Sequence, residues 1–279
     1  MTTTDLPQYT VHALRFARMP RPRRHNFMYL EDHDGPMPLD FFVWLIQGPG
    51  TTVLVDTGFG ARSAASRKRE LDHCPIEALG ALGVAPADIT DAILTHLHWD
   101  HAGNLDKLPA ARIHIQDAEV EYATGRCMCE PYLRRAYSVD DVCDLVRRVY
   151  EDRVQFHAGD WTLKPGIEGV FVGGHTRGLQ AVRVHTARGW IVLASDAAHY
   201  YANIEQNNPF PIAADVAAML AGYRKLMALA DSPDHFIPGH DPLVLERYPL
   251  VEGAGLKIAC VSSDCVSRAV GELKQPAVI

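Results

Sequence analysis

Short apolar segments recur along the chain and predict a protein rich in β-strands. The segment YTVHALRFA (9–17) alternates apolar and polar residues, as a half-buried strand does. FFVWLIQ (41–47) and TTVLVDTG (51–58) flank the turn residues Gly48-Pro49-Gly50 and predict a buried hairpin. Four further strands are predicted within 89–96, 111–116, 167–175 and 235–241, and a second hairpin within 181–196.

Helical patterns lie between the predicted strands. Residues 61–73 and 75–83 are helical by propensity. Asp117 is a plausible N-cap for a helix that ends at Gly125, and Ser138 is a plausible N-cap for a helix through 138–153. The strongest helical periodicity lies in 213–231, where six apolar residues share one face: Val216, Met219, Leu220, Tyr223, Leu226 and Met227.

The segment 18–40 shows neither the alternation of a strand nor the periodicity of a helix. It contains four prolines and four arginines, so it is predicted to be a long loop. The chain has 279 residues, and no repeat or low-complexity linker divides it. It is therefore expected to form a single domain over 1–279, in which 266–279 is a C-terminal tail.

Composition excludes several classes of function. The formal net charge of −7 and the pI of about 6.0 disfavour a nucleic-acid partner, which requires a basic surface. No apolar run is long enough to cross a membrane, and the first residues lack the pattern of a secretory signal. The six cysteines match no zinc motif, so a cytoplasmic protein with reduced thiols is expected.

Potential metal ligands gather where predicted strands end. THLHWDHAGN (95–104) places His96, His98, Asp100 and His101 directly after an apolar strand. His96 and His98 are two residues apart, so on extended backbone they point the same way and can share one ion. Asp100 and His101 follow a bend and can serve a second ion. Three more residues lie at later strand ends and suit the same divalent metals, namely His175, Asp196 and His240.

The order THxHxDH, GH, Asp, GH resembles that of the metallo-β-lactamase-fold hydrolases, and the upstream VLVDTGFG (53–60) is similar as well. The resemblance covers roughly residues 9–245. It implies an α+β protein with the αββα four-layer sandwich and two divalent metal ions, with Zn²⁺ expected. By position, His96, His98 and His175 hold the first ion, Asp100, His101 and His240 the second, and Asp196 bridges them. The implied reaction is attack of a hydroxide shared by the metals on an ester-like carbonyl, with Asp100 as proton donor.

Within that superfamily the chain resembles the N-acyl homoserine lactonases. LDFFVWLIQGPGTTVLVDTG (39–58), the insert after the histidines and DAAHYYANIEQNNPFP (196–211) carry the similarity. It implies a lactonase with a quorum-quenching role. That family has a substrate-positioning tyrosine three residues after the bridging aspartate. Here His199 stands in that place, so either His199 or, with a shift of one residue, Tyr200 takes the role. Tyr201 is expected beside the substrate.

Arginines near the predicted site indicate the charge of the substrate. The resemblance places the 18–40 loop over the active site, where Arg21, Arg23 and Arg24 could bind an anion, often with two hydrogen bonds. Arg177, in GHTRGLQ where the family has proline, is expected to contact the substrate too; Leu179 replaces the family's second histidine in the same motif. A small or aromatic anionic lactone or ester is therefore one hypothesis, and a solvated basic loop is the alternative.

Other functions on the same fold stay open. A carboxylic ester or thioester hydrolase similar to glyoxalase II is the main alternative, and a non-catalytic metal-binding module is a weaker one. The expected partner is a small-molecule lactone or ester, with no nucleic acid and no membrane. A homodimer is left open as the assembly.

Overall fold

Two β-sheets form the centre of the molecule. The computed structural model describes residues 6–29, 34–251 and 255–264. Its strands are β1 (Thr10–Met19), β2 (Leu39–Gly48), β3 (Thr51–Val55), β4 (Asp91–Ile93), β5 (Arg112–Gln116), β6 (Val154–His157), β7 (Trp161–Lys164), β8 (Ile167–Phe171), β9 (Gln180–Thr186), β10 (Gly189–Ser195), β11 (Phe236–Pro238) and β12 (Lys257–Cys260).

The first sheet has the order β12-β1-β2-β3-β4-β5-β6, and the second has the order β11-β10-β9-β8-β7. In the first sheet, β3, β4, β5 and β6 run parallel to one another, whereas β12, β1, β2 and β3 pair antiparallel. In the second sheet only β10 and β11 are parallel. The parallel strands bring several chain segments to the same edge with their carboxyl ends, which is where loops of an α/β protein carry function.

The helices are α1 (Ala61–Arg67), α2 (Pro75–Ala78), α3 (Asp117–Thr124), α4 (Pro131–Arg134), α5 (Val139–Tyr150), α6 (Tyr201–Glu205), α7 (Val216–Leu229) and α8 (Leu243–Arg247). Short 3₁₀ turns lie at 23–25, 79–82, 86–88, 105–107, 126–129 and 233–235. Among the helices of the described residues, none is long and apolar enough to cross a membrane.

The apolar side chains pack in three clusters that define four layers. One cluster joins β1, β2 and β3 to β8, β9 and β10, so it fills the space between the sheets. A second covers the outer face of the first sheet with α2, α3 and α5, and a third packs α7 on the outer face of the second sheet. The αββα sandwich that the sequence predicts is thus confirmed, with an apolar layer on both faces of each sheet.

Strand β2 shows how the sequence produces this arrangement. Its side chains alternate between the two faces, because successive residues of a strand point in opposite directions. Phe42, Trp44 and Ile46 enter the space between the sheets, whereas Phe41 and Val43 face the outer helices. A strand that is buried on both faces must be apolar throughout, as FFVWLI is.

The structure corrects the predicted bounds of the 18–40 loop. Strand β1 extends to Met19 and β2 begins at Leu39, so both ends of the loop are strand. The remainder is braced by a bridge between Pro22 and Pro36 and by the 3₁₀ turn at 23–25. Residues 30–33 and the predicted tail 266–279 lie outside the described residues.

Two helix predictions are refined as well. The Ser138 side chain accepts a hydrogen bond from the Asp141 amide, which confirms the predicted N-cap of α5. Asp117 is the first residue of α3 and not its N-cap, which is Gln116. On α7 the predicted apolar face begins too early: Val216 is exposed, because it precedes the turn that packs on the sheet.

Candidate metal centre

The seven predicted metal ligands come together at the carboxyl ends of the strands. The loop after β4 carries His96, His98, Asp100 and His101, and the loop after β8 carries His175. Asp196 directly follows β10, and His240 follows β11 by two residues. The two sheets thus bring together four segments that are distant in the sequence. A site built on the loops at strand ends forms in this way.

Asp196 is the centre of the cluster. Its Oδ1 lies 2.9 Å from His240 Nε2 and 3.2 Å from His101 Nε2. Its Oδ2 lies 3.1 Å from His175 Nε2 and 3.7 Å from His96 Nε2. One carboxylate thus faces histidines from both sides, which is the geometry that a bridging ligand needs.

The ligand atoms fall into the two predicted groups. The donor atoms of His96, His98, His175 and Asp196 lie within 4.8 Å of one another, as do those of Asp100, His101 and His240. A further group was not predicted: Asp196, His199 and His240 also meet this limit. The sequence-based ligand assignment stays a prediction, and the structure places every residue where that assignment needs it.

Hydrogen bonds on the far side of the rings fix how the histidines face the centre. His101 Nδ1 lies 2.7 Å from Asp56 Oδ2, His175 Nδ1 lies 2.7 Å from the Ile212 carbonyl, and His240 Nδ1 lies 2.8 Å from the Asp40 carbonyl. A ring that donates through Nδ1 presents the Nε2 lone pair to the centre, which is the tautomer that a metal-binding histidine requires.

Several atoms at the centre of the cluster lack hydrogen-bond partners, so the residues fit a pair of cations. Among the described residues, the buried Nε2 atoms of His96 and His101 and the Oδ1 atom of Asp196 have no hydrogen-bond partner. Buried polar atoms without partners are costly in a protein interior. Neutral imidazoles and carboxylates that converge in this way are a donor set for Zn²⁺ or a similar divalent ion.

The electrostatics of the cluster favour the ligand forms of His96, His98 and Asp196. For His101 and His240 burial opposes the charged form, but the Asp196 carboxylate outweighs it and raises both pKa values. Burial lowers the pKa of His96 and His98 well below the usual value, which keeps both imidazoles neutral. Burial opposes ionisation of Asp196, but the histidines around it outweigh that cost, and its pKa lies well below the usual range. The carboxylate at the centre of the cluster is therefore ionised, and a nearby cation would stabilise it.

A buried aspartate that the sequence did not single out supports this cluster. Asp56 directly follows strand β3, and its Oδ1 accepts hydrogen bonds from the Thr95 amide at 2.8 Å and the Thr95 hydroxyl at 2.9 Å. Its Oδ2 accepts from His101 at 2.7 Å and from the Ser195 hydroxyl at 3.4 Å. Asp56 thus joins β3, the histidine loop and the end of β10. Its place at a strand end, in VLVDTG, is the signal that could have revealed it.

Glu119 holds two ligand loops together. This buried carboxylate accepts hydrogen bonds from the Leu97 amide at 2.9 Å, the Tyr137 hydroxyl at 3.1 Å and the Gly178 amide at 3.1 Å. Burial raises its pKa. Gly178 is needed for this approach, because a Cβ there would lie 2.1 Å from the Glu119 nitrogen. In the sequence Glu119 resembles any acidic residue in the first turn of a helix, so no local signal reveals it.

Replacement of Glu119 by alanine is expected to lower the free energy of unfolding by ~3 kcal/mol, because three buried donors lose their acceptor. Urea unfolding of the metal-free protein measures this. Glu121→Ala is the matched control, since Glu121 is exposed on the same helix. Equal midpoints for the two variants would contradict the bracing role of Glu119.

The cluster of candidate ligands opens into a cavity of about 580 Å³. Apolar side chains form part of its wall, among them Phe41, Trp99 and Phe210. Phe41 and Trp99 pack edge to face, with ring centroids 5.7 Å apart. This volume suits a small molecule, and the aromatic wall suits an apolar or flat one.

His199, and not Tyr200, faces the cluster. His199 Nε2 lies 3.0 Å from Asp196 Oδ2, and its ring stacks on Phe210 with centroids 3.6 Å apart. The Tyr200 hydroxyl instead lies 3.2 Å from the Pro38 carbonyl, outside the cavity wall. Tyr200 has extended backbone, so its side chain points away from that of His199. Of the two alternatives, His199 therefore lines the cavity and Tyr200 does not.

Tyr201 is also placed away from the cavity. Its ring is buried in the core between the sheets, and the Arg247 guanidinium lies 3.8 Å from the ring centroid. Because α6 begins at Tyr201, the helical turn directs this side chain inward to the core. Tyr201 is therefore a core residue and does not line the cavity where a substrate would bind.

Only one of the predicted substrate arginines reaches the cavity. Arg21 lines it and lies over Phe210, 5.0 Å from the ring centroid. Arg23 lies over Phe27, and Arg24 pairs with Asp34 at the surface. Arg177 is exposed and lies over Tyr122, 5.4 Å from the ring centroid. The prediction that Arg23, Arg24 and Arg177 bind the substrate is thus corrected. The loops that carry these arginines turn their side chains away from the cavity.

Three arginines that the sequence did not single out line the cavity instead. They are Arg67, Arg69 and Arg135. The first two lie where α1 ends, and the third follows α4. No motif marks them, and only the tertiary packing of these helices against the cavity brings them together.

Comparisons with known proteins agree with this geometry. The family model described as metallo-beta-lactamase superfamily matches residues 39–244. An N-acyl homoserine lactonase of Bacillus cereus is 28% identical over 221 residues, which are 73% of this chain and 82% of the relative. Metallo-beta-lactamase domain-containing protein 1 of Xenopus laevis is 30% identical over 248 residues, which are 86% of this chain and 89% of the relative.

Solved structures share the fold. An N-acyl homoserine lactone hydrolase with the product N-hexanoyl-L-homoserine bound at its catalytic metal centre matches with a TM-score of 0.69 and 20% identity, over 84% of this chain and 93% of that one. AidC, a dizinc quorum-quenching lactonase, matches with a TM-score of 0.66 and 16% identity, over 96% and 97% of the two chains. At these identities the similarity establishes the architecture alone.

Proposed function

The chain belongs to the metallo-beta-lactamase superfamily and is a metal-dependent hydrolase, and on that premise we propose that it opens the ring of a lactone at two divalent metal ions. The observation that carries the proposal is the cluster around Asp196, in which two groups of ligand atoms face a cavity with an aromatic wall. The curated relatives named N-acyl homoserine lactonases support a lactone as substrate. A quorum-quenching role and a cytoplasmic location belong to the same proposal.

The assignment of ligands follows the two groups. His96, His98 and His175 would hold one ion, Asp100, His101 and His240 the other, and Asp196 would serve both. Zn²⁺ is the ion we expect, because neutral imidazoles and carboxylates suit it well. When bound, such a pair activates water as a nucleophile at neutral pH and polarises the carbonyl that is attacked.

The protein's own side chains prepare the reaction around that centre. Asp100 lines the cavity and is the least buried of the predicted ligands, with its Oδ2 3.8 Å from His101 Nε2. We assign to Asp100 the transfer of a proton: one of its carboxyl oxygens would accept the proton from the attacking water and donate it to the leaving alkoxide. His199 holds Asp196 through Nε2, and Phe41, Trp99 and Phe210 exclude water from one side of the substrate.

A panel of substrates tests the proposal. Zinc-loaded protein is offered a lactone, the linear ester of the same acid and the corresponding thioester. We expect the lactone to have the highest kcat/KM, by roughly tenfold over the linear ester, because a ring loses less freedom in a compact cavity. A preference for the thioester would contradict the lactonase proposal and favour a hydrolase similar to glyoxalase II.

His199→Phe tests the role given to the histidine. Phenylalanine preserves the stack on Phe210 but removes both nitrogens, so we expect kcat/KM for the lactone to fall by on the order of 10² with both metals retained. Tyr200→Phe is the control, and its kcat/KM is expected to stay within about threefold of the parent. Loss of one metal in His199→Phe would contradict the positioning role, because it would identify His199 as a ligand.

A further inference from the structure

Four arginines line the cavity, and they come from three separate parts of the chain. They are Arg21 after β1, Arg67 and Arg69 where α1 ends, and Arg135 after α4. The chain as a whole carries a formal net charge of −7, so this concentration of positive charge is local to the cavity. It therefore requires an explanation of its own.

Among the residues that the structure describes, no carboxylate lies within ion-pair distance of these four arginines. Elsewhere, arginines pair with acidic residues: Arg18 with Asp40, and Arg148 with Glu151. Within the described ranges 6–29, 34–251 and 255–264, no ion pair involves any of the four arginines at the cavity. The groups that they do contact are neutral hydrogen-bond acceptors and aromatic rings. Such groups hold a guanidinium in place without cancelling its charge.

Two of the four are held by many contacts and two by few. Arg21 donates to the Asn26 side chain at 2.6 Å and to the His25 carbonyl at 2.7 Å. Arg67 donates to the carbonyls of Arg135 and Tyr137, at 2.9 Å and 2.8 Å. These bonds fix both guanidinium groups beside the cavity, so they also serve the local structure.

Arg69 and Arg135 are less constrained. Arg69 Nε is buried, and no described residue offers it a hydrogen-bond acceptor; its Nη1 reaches only the Lys68 carbonyl, at 3.3 Å. Arg135 lies over Tyr132, with its Cζ 4.1 Å from the ring centroid. Both side chains therefore keep donors available for a ligand in the cavity.

Several of these positive charges act on one another. Burial lowers the pKa of Arg21, and the cations of Arg69 and Arg135 lower it further. Burial and Arg69 lower the pKa of Arg67 in the same way, although Asp100 opposes them. Like charges gathered in one place are a cost to the free protein, and a bound anion would remove that cost.

We propose that the substrate is anionic: a lactone whose ring system carries a carboxylate, which Arg69 and Arg135 bind while the ring lies on the aromatic wall. The inference rests on the proposed lactonase function and specifies its substrate. Guanidinium groups bind carboxylates through paired hydrogen bonds, and two of them discriminate strongly against a neutral group of the same shape. Phe41, Trp99 and Phe210 offer the flat apolar surface that a fused aromatic ring would contact.

A pair of compounds that differ in charge tests this directly. Carboxyphthalide is an aromatic lactone with a carboxylate, and its carboxamide has nearly the same shape without the charge. We expect wild-type protein to prefer the acid by about 10- to 100-fold in kcat/KM, mostly through KM. In Arg69→Gln/Arg135→Gln the ratio of kcat/KM for the acid to that for the carboxamide is expected to fall below about threefold, because the acid loses far more kcat/KM than the carboxamide does.

Arg112→Gln is the matched control. Arg112 is exposed at the first residue of β5, at the opposite end of that strand from the metal centre, so this variant is expected to keep the preference for the acid. Added salt is expected to lower the preference in the wild type, because the arginines are only partly buried.

A binding measurement separates failure of this inference from failure of the lactonase proposal. The lactam analogues of the two compounds are not hydrolysed, and calorimetry gives their Kd values. Equal hydrolysis of acid and carboxamide, with no effect of the arginine substitutions, would overturn the anionic substrate and leave the lactonase standing. Selective binding of the acidic lactam that the double variant loses, without turnover of either lactone, would support the arginine site and contradict the lactonase.

Discussion

Asp196→Asn is expected to lower kcat/KM for lactone hydrolysis by at least ~10³. In the folded protein Asp196 faces histidines on both sides, with His240 at 2.9 Å from one oxygen and His175 at 3.1 Å from the other. An amide presents an N–H group where the second oxygen stood, and it carries no charge. It cannot serve two cations, so the metal content should fall from two per chain to one or none.

The measurement is steady-state hydrolysis together with metal analysis of the same samples. Asp160→Asn is the matched control, because Asp160 is an exposed carboxylate that pairs with Lys225 at the surface. A variant Asp196→Asn that keeps two metals and wild-type kcat/KM would exclude Asp196 as the bridging ligand.

Asp56→Ala is expected to destabilise the metal-free protein by ~4 kcal/mol, because a buried charged group is removed while its partners stay buried. His101 loses the acceptor of its Nδ1 proton, and Thr95 loses the acceptor of its amide and its hydroxyl. Zinc affinity should also fall by about 10- to 100-fold, since the ring of His101 is no longer oriented.

Two further variants separate the causes. Asp56 has a positive φ of 58°, which asparagine tolerates better than alanine, so Asp56→Asn tests the charge with little added backbone strain. Asp106→Ala, at an exposed position of a 3₁₀ turn, is the control for loss of a carboxylate. Urea unfolding and zinc titration are the measurements. If Asp56→Ala unfolds at the same urea concentration as Asp106→Ala, Asp56 does not brace the site.

The sequence predicted the parts of this protein that depend on local spacing. His96, His98, Asp100 and His101 lie within six consecutive residues after an apolar strand, so their convergence needs no knowledge of distant contacts. The resemblance to the metallo-β-lactamase superfamily, which the family model confirms, supplied the order of the remaining ligands and the four-layer architecture.

The parts that failed depend on side-chain direction. His199 and Tyr200 are adjacent in the sequence, and only the extended backbone at Tyr200 decides which of them faces Asp196. The arginines show the same limit at longer range. Arg23 and Arg24 looked suitable because they share the loop with Arg21, but each turns to a partner outside the cavity.

Three of the four arginines that line the cavity could not be found from the sequence. Arg67, Arg69 and Arg135 stand in segments with ordinary helical composition, and their common location results from packing between α1 and the insert around α4. Glu119 was missed for the same reason, because its partners Leu97, Tyr137 and Gly178 are distant in the chain. The anionic substrate stays a proposal, and it now rests on Arg69 and Arg135 instead of on Arg23, Arg24 and Arg177.

Titration of zinc into chelator-stripped protein, with lactone hydrolysis measured at each step, tests the central claim most directly. The account predicts negligible hydrolysis without metal and a rate that rises to a plateau at two equivalents of zinc per chain, because the two ligand groups around Asp196 both have to be filled. Full hydrolysis by the stripped protein, or a plateau reached at one equivalent, would contradict it.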